Sequence, residues 1–140
     1  MLNNIFHSVP PSWGSVNFIW AQLYTVVDTL NTVAEAGALV AKLNKPGARL
    51  LADVYHMACN NESPEDILLQ PSLLSHVHVA EKQERAAPGR YGEDFRPYFS
   101  TLHLAGYDRR ISIECIWQNL ATEVSPAIET LREQWMASAG

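Results

Sequence analysis

Three acidic or imidazole side chains fall where short apolar runs end. Asp53 closes Leu51-Ala52-Asp53, His78 sits in His76-Val77-His78-Val79, and Glu114 closes Ile111-Ser112-Ile113-Glu114. An O/N/O donor set of this kind suits Mn²⁺, Co²⁺, Mg²⁺ or Zn²⁺. The residues are remote in sequence, so they can act together only if a fold brings those run ends to one place. Each also has an ordinary use. A lone Asp at a strand end commonly caps the helix that follows, and a lone strand His is commonly a hydrogen-bonded core group.

The elements around them supply the condition. A helix face recurs from Val26 through Leu30, Val33, Ala36, Val40 and Leu43, with Asp28 or Asn31 able to cap it. Asn44, Pro46 and Gly47 stop it. Arg49 to Tyr55 reads as a strand. Ser63-Pro64-Glu65-Asp66 opens a short helix that Pro71 ends. His76 to Glu81 is the next strand, and Lys82 to Glu93 is a long loop with Pro88, Gly89 and Gly92. Asp94 caps a helix with Phe95, Tyr98, Phe99 and Leu102 inward, ended by Gly106. Arg110 to Cys115 is the last strand. Ser125-Pro126 opens a final helix with Ile128, Leu131 and Trp135 inward. Val16 to Leu23 suits a further strand or the start of a helix, after a tail over Met1 to Gly14.

Strands alternating with helices imply βαβ units and a parallel sheet. The carboxyl ends of parallel strands share one edge, where sites are built. Asp53, His78 and Glu114 are therefore expected to converge, with His56, Glu81 and Arg85 on the same edge. His76 is expected to face the helices in a structural role. His103, His7, Cys59 and Cys115 read as packing residues, and Trp117 suits either packing or a pocket wall.

Composition limits the function classes. The chain has 140 residues and is 47% hydrophobic, enough for one domain with a real core. Ten Lys and Arg against 15 Asp and Glu give a net charge of −5 and no basic block. That argues against phosphate-driven nucleic-acid binding. No apolar run of about 18 residues exists, so no transmembrane helix is expected. Two distant cysteines and no basic n-region point to the cytoplasm.

Three motifs in order resemble the sugar isomerase/epimerase superfamily with a xylose-isomerase-like barrel, its ketose 3-epimerase and hydroxypyruvate-isomerase-like members above all. They are Asp53-Val54-Tyr55-His56; then His76-Val77-His78, Glu81 and Arg85-Ala86-Ala87-Pro88-Gly89; then Gly106-Tyr107-Asp108 through Glu114. The stretch Asn31 to Ala36 looks like the helix before the Asp strand. The resemblance runs from Val26 to Trp135. It implies an α/β fold, the C-terminal half of a (β/α)₈ TIM barrel with three to four parallel βα units. It also divides the chain into a divergent tail with a first strand (1–25) and a half-barrel domain (26–140).

The same resemblance implies one divalent metal held by Asp53, His78 and Glu114. Glu114 would double as acid/base, and His56 and Arg85 would bind substrate. The substrate would be a small sugar or hydroxy-ketone, and the chemistry proton transfer through an enediolate.

Two departures shape the expectation further. A whole barrel takes about 250 residues. The family's fourth ligand, a Glu on the strand before Asn31, has no counterpart, since no acid lies between Met1 and Val27. The chain is thus expected to be an incomplete barrel, weak or inactive alone, with metal weakly bound or absent. Alternatives are a non-catalytic fragment or subunit completing a barrel with another chain, a homo-oligomer that covers the open barrel, and an inosose-dehydratase-like relative.

Overall fold

The computed structural model describes residues 17–20, as backbone, and 30–140. Its frame is a parallel sheet of four strands in sequence order: β1 (Asn17–Trp20), β2 (Ala48–Asp53), β3 (Leu74–Val79) and β4 (Ile111–Ile113). The register pairs Ile19 with Leu50, Asp53 with His78, and His78 with Ser112. Parallel neighbours need crossovers. These carry the helices α1 (Val33–Leu43), α2 (Val54–Asn60) and α3 (Arg96–Leu104), and α4 (Leu120–Ser138) follows β4. Among the described residues, β1 and β4 each have one strand neighbour. The result is the expected α/β half-barrel with an open sheet.

Alternation along the strands divides the residues between two faces. Leu50, Ala52, Val77 and Val79 are buried against the helices, in one cluster with Val33, Ala36, Ile67, Phe95, Phe99 and Leu102. Phe99 packs edge-on to Trp135 of α4 at 5.4 Å. The other face carries Leu51 and Asp53, then His76 and His78, then Ser112, with Glu114 following β4. The helices thus cover one face and leave the polar positions on the other.

Several boundaries differ from the sequence expectation, each for a local reason. The segment at 1–14, the cap at Asp28 and the helix start at Val26 lie outside the described residues. The cap of α1 is Thr32, not Asn31. Thr32 Oγ1 accepts from Glu35 N, and Glu35 Oε2 accepts from Thr32 N, a reciprocal capping box. Leu43, expected inward, is exposed. The run Arg49 to Tyr55 stops being a strand at Asp53, whose side chain turns the chain into α2. The expected helix after Ser63 is 3₁₀ over Pro64–Leu69, and Pro71 starts a second 3₁₀ turn rather than only ending the first. The strand expected to run to Glu81 ends at Val79. The residue before α3 is Phe95, although Asp94 Oδ1 still accepts from Arg96 N at 3.0 Å. Helix α4 begins at Leu120 under an Asn119 cap, and Pro126 lies inside it. Asn119, with a β-region backbone, supplies the stronger start signal. Leu131 and Trp135 pack on the core from a half-buried position.

Candidate metal centre

The end of β2 builds the site first. Asp53 is 1% exposed, and its two carboxylate oxygens have separate surroundings. Oδ1 accepts from Tyr55 N at 3.0 Å and His56 N at 3.4 Å, capping α2. Oδ2 is buried and makes no hydrogen bond among the described residues. Three nitrogens stand just beyond bonding distance of it: Arg85 at 3.7 Å, His78 Nδ1 at 3.8 Å and His56 Nε2 at 3.9 Å. Burial pushes the Asp53 carboxyl up to about 6. The His78 ring opposes that rise, the Glu114 charge adds to it, and Arg85 opposes it.

His78 and Glu114 complete the group. His78 Nδ1 lies 2.9 Å from Glu114 Oε2. The facing ligand atoms of Asp53, His78 and Glu114 all lie within 4.8 Å of one another. Donors about 2.1 Å from a shared ion sit about 3–4 Å apart, and His78 Nδ1 stands 2.9 Å from Glu114 Oε2 and 3.8 Å from Asp53 Oδ2. A buried carboxylate oxygen without a hydrogen bond is costly, and a cation closer than the Arg85 nitrogen at 3.7 Å would remove that cost. The donor chemistry and the bare Oδ2 therefore both fit a metal.

Arg85 and His56 flank the cluster, as expected. Arg85 donates to Glu114 Oε2 at 2.7 Å and to the Glu114 carbonyl at 3.2 Å. Its guanidinium lies 4.9 Å above the Tyr55 ring. His56 is buried, and its pKa is lowered by burial first and by the Arg85 charge second. Tyr55, which sequence reasoning passed over, is the platform under Arg85. Its only sequence signal is its place inside the Asp53 to His56 motif. Glu84 and Arg85 both have positive φ, 58° and 50°. Non-glycine residues there are strained, and such strain gathers at functional sites.

Two expectations need correction. Glu81 does not join the cluster. It is fully buried, and its carboxylate accepts from four backbone amides of the loop, at Gly89, Tyr91, Gly92 and Glu93. Its work is to fold the loop that carries Arg85. His76 does not face the helices. Residues two apart on a strand share a face, and the His76 and His78 rings meet edge-on at 5.0 Å. His76 Nε2 lies 2.9 Å from Ser112 Oγ, and burial drives its pKa down to about 4. His103 packs on Trp135 at 3.9 Å, a structural contact as expected. Cys59 and Cys115 are free and half-buried. His7 lies outside the described residues.

A parallel half-barrel with a mixed carboxylate and imidazole cluster at its carboxyl edge defines a class of fold and site. The model of the xylose isomerase-like TIM barrel family matches residues 19–138, and the chain belongs to that family. It is 29% identical over 107 residues to the L-ribulose 3-epimerase of Methylomonas sp. (strain DH-1), covering 65% of this chain and 37% of that protein. It is 30% identical over 87 residues to a putative hydroxypyruvate isomerase of Mus musculus, covering 61% of this chain and 31% of the other. The fold resembles a D-allulose 3-epimerase from Methylomonas sp. with a TM-score of 0.73 at 21% identity, over 84% of this chain and 48% of that one. A D-psicose 3-epimerase crystallised in the presence of D-fructose gives 0.65 at 22%, over 86% and 46%. The chain spans about a third of the curated relatives it matches and under half of these solved chains. Among the described residues, no helix is long and apolar enough to cross a membrane.

Proposed function

We propose that this chain forms one side of a divalent-metal site that moves a proton beside the carbonyl of a ketose or small hydroxy-ketone. The observation that carries the reading is Asp53 Oδ2, buried without a hydrogen bond and facing His78 and Glu114. Asp53, His78 and Glu114 would hold the ion, which when bound would polarise the substrate carbonyl and its neighbouring hydroxyl. The named relatives that act on ketoses support the substrate class.

The chain's own groups then have distinct parts. Glu114 takes the proton from the carbon beside the carbonyl, leaving an enediolate, and returns it. Its side chain is 40% exposed, so it can exchange that proton with solvent. Arg85 and His56 donate to substrate hydroxyls. Tyr55 fixes Arg85 from below. The 82–93 loop, folded around Glu81, sets where Arg85 stands. The two unpaired thiols support a reducing, cytoplasmic setting.

The experiment is solvent exchange. The chain with Mn²⁺ and D-fructose in D₂O is expected to place deuterium beside the carbonyl, seen by NMR. Glu114→Gln should lose that exchange while retaining the fold. Exchange at an equal rate in Glu114→Gln, or none in the wild-type chain, would overturn the reading.

A second reading rests on the sheet edges. The outer sides of β1 and β4 have no strand partner among the described residues. Open edges favour pairing, and a second chain, identical or not, would complete the barrel around the same site. Light scattering then shows a defined dimer rather than a monomer.

A further inference from the structure

The guanidinium of Arg85 stands where a cation is needed. It lies 2.7 Å from Glu114 Oε2 and 3.7 Å from Asp53 Oδ2, two of the three atoms assigned to the metal. Arg is always charged. Without any cation, two carboxylates this close would repel. We infer that Arg85 is the resident counter-ion of the metal-free cluster and competes with the divalent ion for Asp53 and Glu114. The inference rests on the metal reading above.

The backbone shows how the arginine is held there. Glu84 and Arg85 sit consecutively in the left-handed region, at φ 58° and 50°. An L-residue there is strained, so surrounding contacts must impose it. They are present on both sides. The Arg85 carbonyl accepts from Ile116 N at 2.8 Å, tying it to the segment after Glu114. Glu81 N donates to the next carbonyl, Ala86 O, at 2.9 Å. Tyr55 supports the guanidinium face at 4.9 Å. The strained strap therefore aims a permanent positive charge at the two acidic ligands.

Like charges follow from this placement. A divalent ion held by Asp53 and Glu114 would share their carboxylates with the guanidinium, in a partly buried setting that screens the repulsion less than water does. Binding requires Arg85 to loosen its hold on Glu114 Oε2. An arginine held away from both carboxylates would change metal affinity far less.

The test is an Mn²⁺ titration of the metal-free full chain by calorimetry, with Arg85→Met and Arg85→Gly beside the wild type. Glycine suits the left-handed backbone, so this variant keeps the test available if the methionine variant folds poorly. Competition gives a Kd at least about tenfold tighter in both variants. Arg85→Met should also melt lower than wild type without metal. Binding by the variants alone would support the inference in stronger form. Unchanged or weaker Kd in the variants, with normal wild-type binding, would overturn the competition and leave the metal reading standing. Failure of all three chains to bind would overturn both.

Discussion

Asp53 and Glu81 are buried carboxylates at the ends of neighbouring strands, 1% and 0% exposed. They differ in what surrounds them. Both oxygens of Glu81 are taken by loop amides, with Oε1 accepting three and Oε2 one. Asp53 spends Oδ1 on the α2 cap and leaves Oδ2 bare. Buried polar atoms are nearly always satisfied by their own protein. The satisfied acid is therefore architecture, and the half-satisfied one points to a ligand. Asp53 is the last residue of β2 and Glu81 follows the end of β3 by two residues, so both lie near the same sheet edge and burial alone does not separate them.

That contrast can be broken by substitution. Glu81→Ala strands four amide donors in the loop. It should lower unfolding free energy by about 3–5 kcal/mol in urea titration. A loss under 1 kcal/mol would mean the loop does not depend on Glu81. Metal should act at the other acid. Mn²⁺ at 100 times its Kd should add about 2.7 kcal/mol of stability to the wild-type chain and none to Asp53→Asn.

The core provides a control away from both acids. Burial raises the Tyr98 hydroxyl to about 12 in the fold, against about 10 when unfolded. A raised pKa gives stability that is complete below pH 10 and is lost as pH rises through 12. The expected loss is about 2.7 kcal/mol, and Tyr98→Phe should flatten it. A profile in the variant that matches wild type would place the alkaline loss elsewhere. The smallest effect belongs to the strap. Glu84→Gly relieves φ 58° but gives up the exposed bond from Tyr91 OH. A net gain of about 0.5 kcal/mol is expected, and a loss above that would show that the loop holds Glu84 by side-chain contacts instead.

The sequence carried the alternation of strands and helices, and with it the meeting of Asp53, His78 and Glu114. That convergence follows from parallel pairing alone, because residues that close adjacent strands share an edge. Other features depend on contacts between distant segments. Helix α2 hid inside an apolar run, since Val54 and Tyr55 read as strand until the Asp53 cap is seen. The sequence places Glu81 with His56 and Arg85 beside the site, whereas amides eight to twelve residues away decide its role. The two-residue repeat of a strand is sufficient to place His76 beside His78, on the face away from the helices. Pro126 drew the start of α4 too late, because Asn119 had already capped it. Tyr55 and the positive φ of Arg85 leave no periodic signal.

The most direct test concerns one oxygen. Asp53→Asn retains an Oδ1 to cap α2 and replaces the bare Oδ2 with a neutral amide. Mn²⁺ titration of this variant beside the wild-type chain, with circular dichroism of both, separates ligand from cap. The expected result is single-site binding in the wild type, none in Asp53→Asn, and the same helical signal in each. Equal affinity in the two chains would contradict the assignment of Asp53 as a metal ligand.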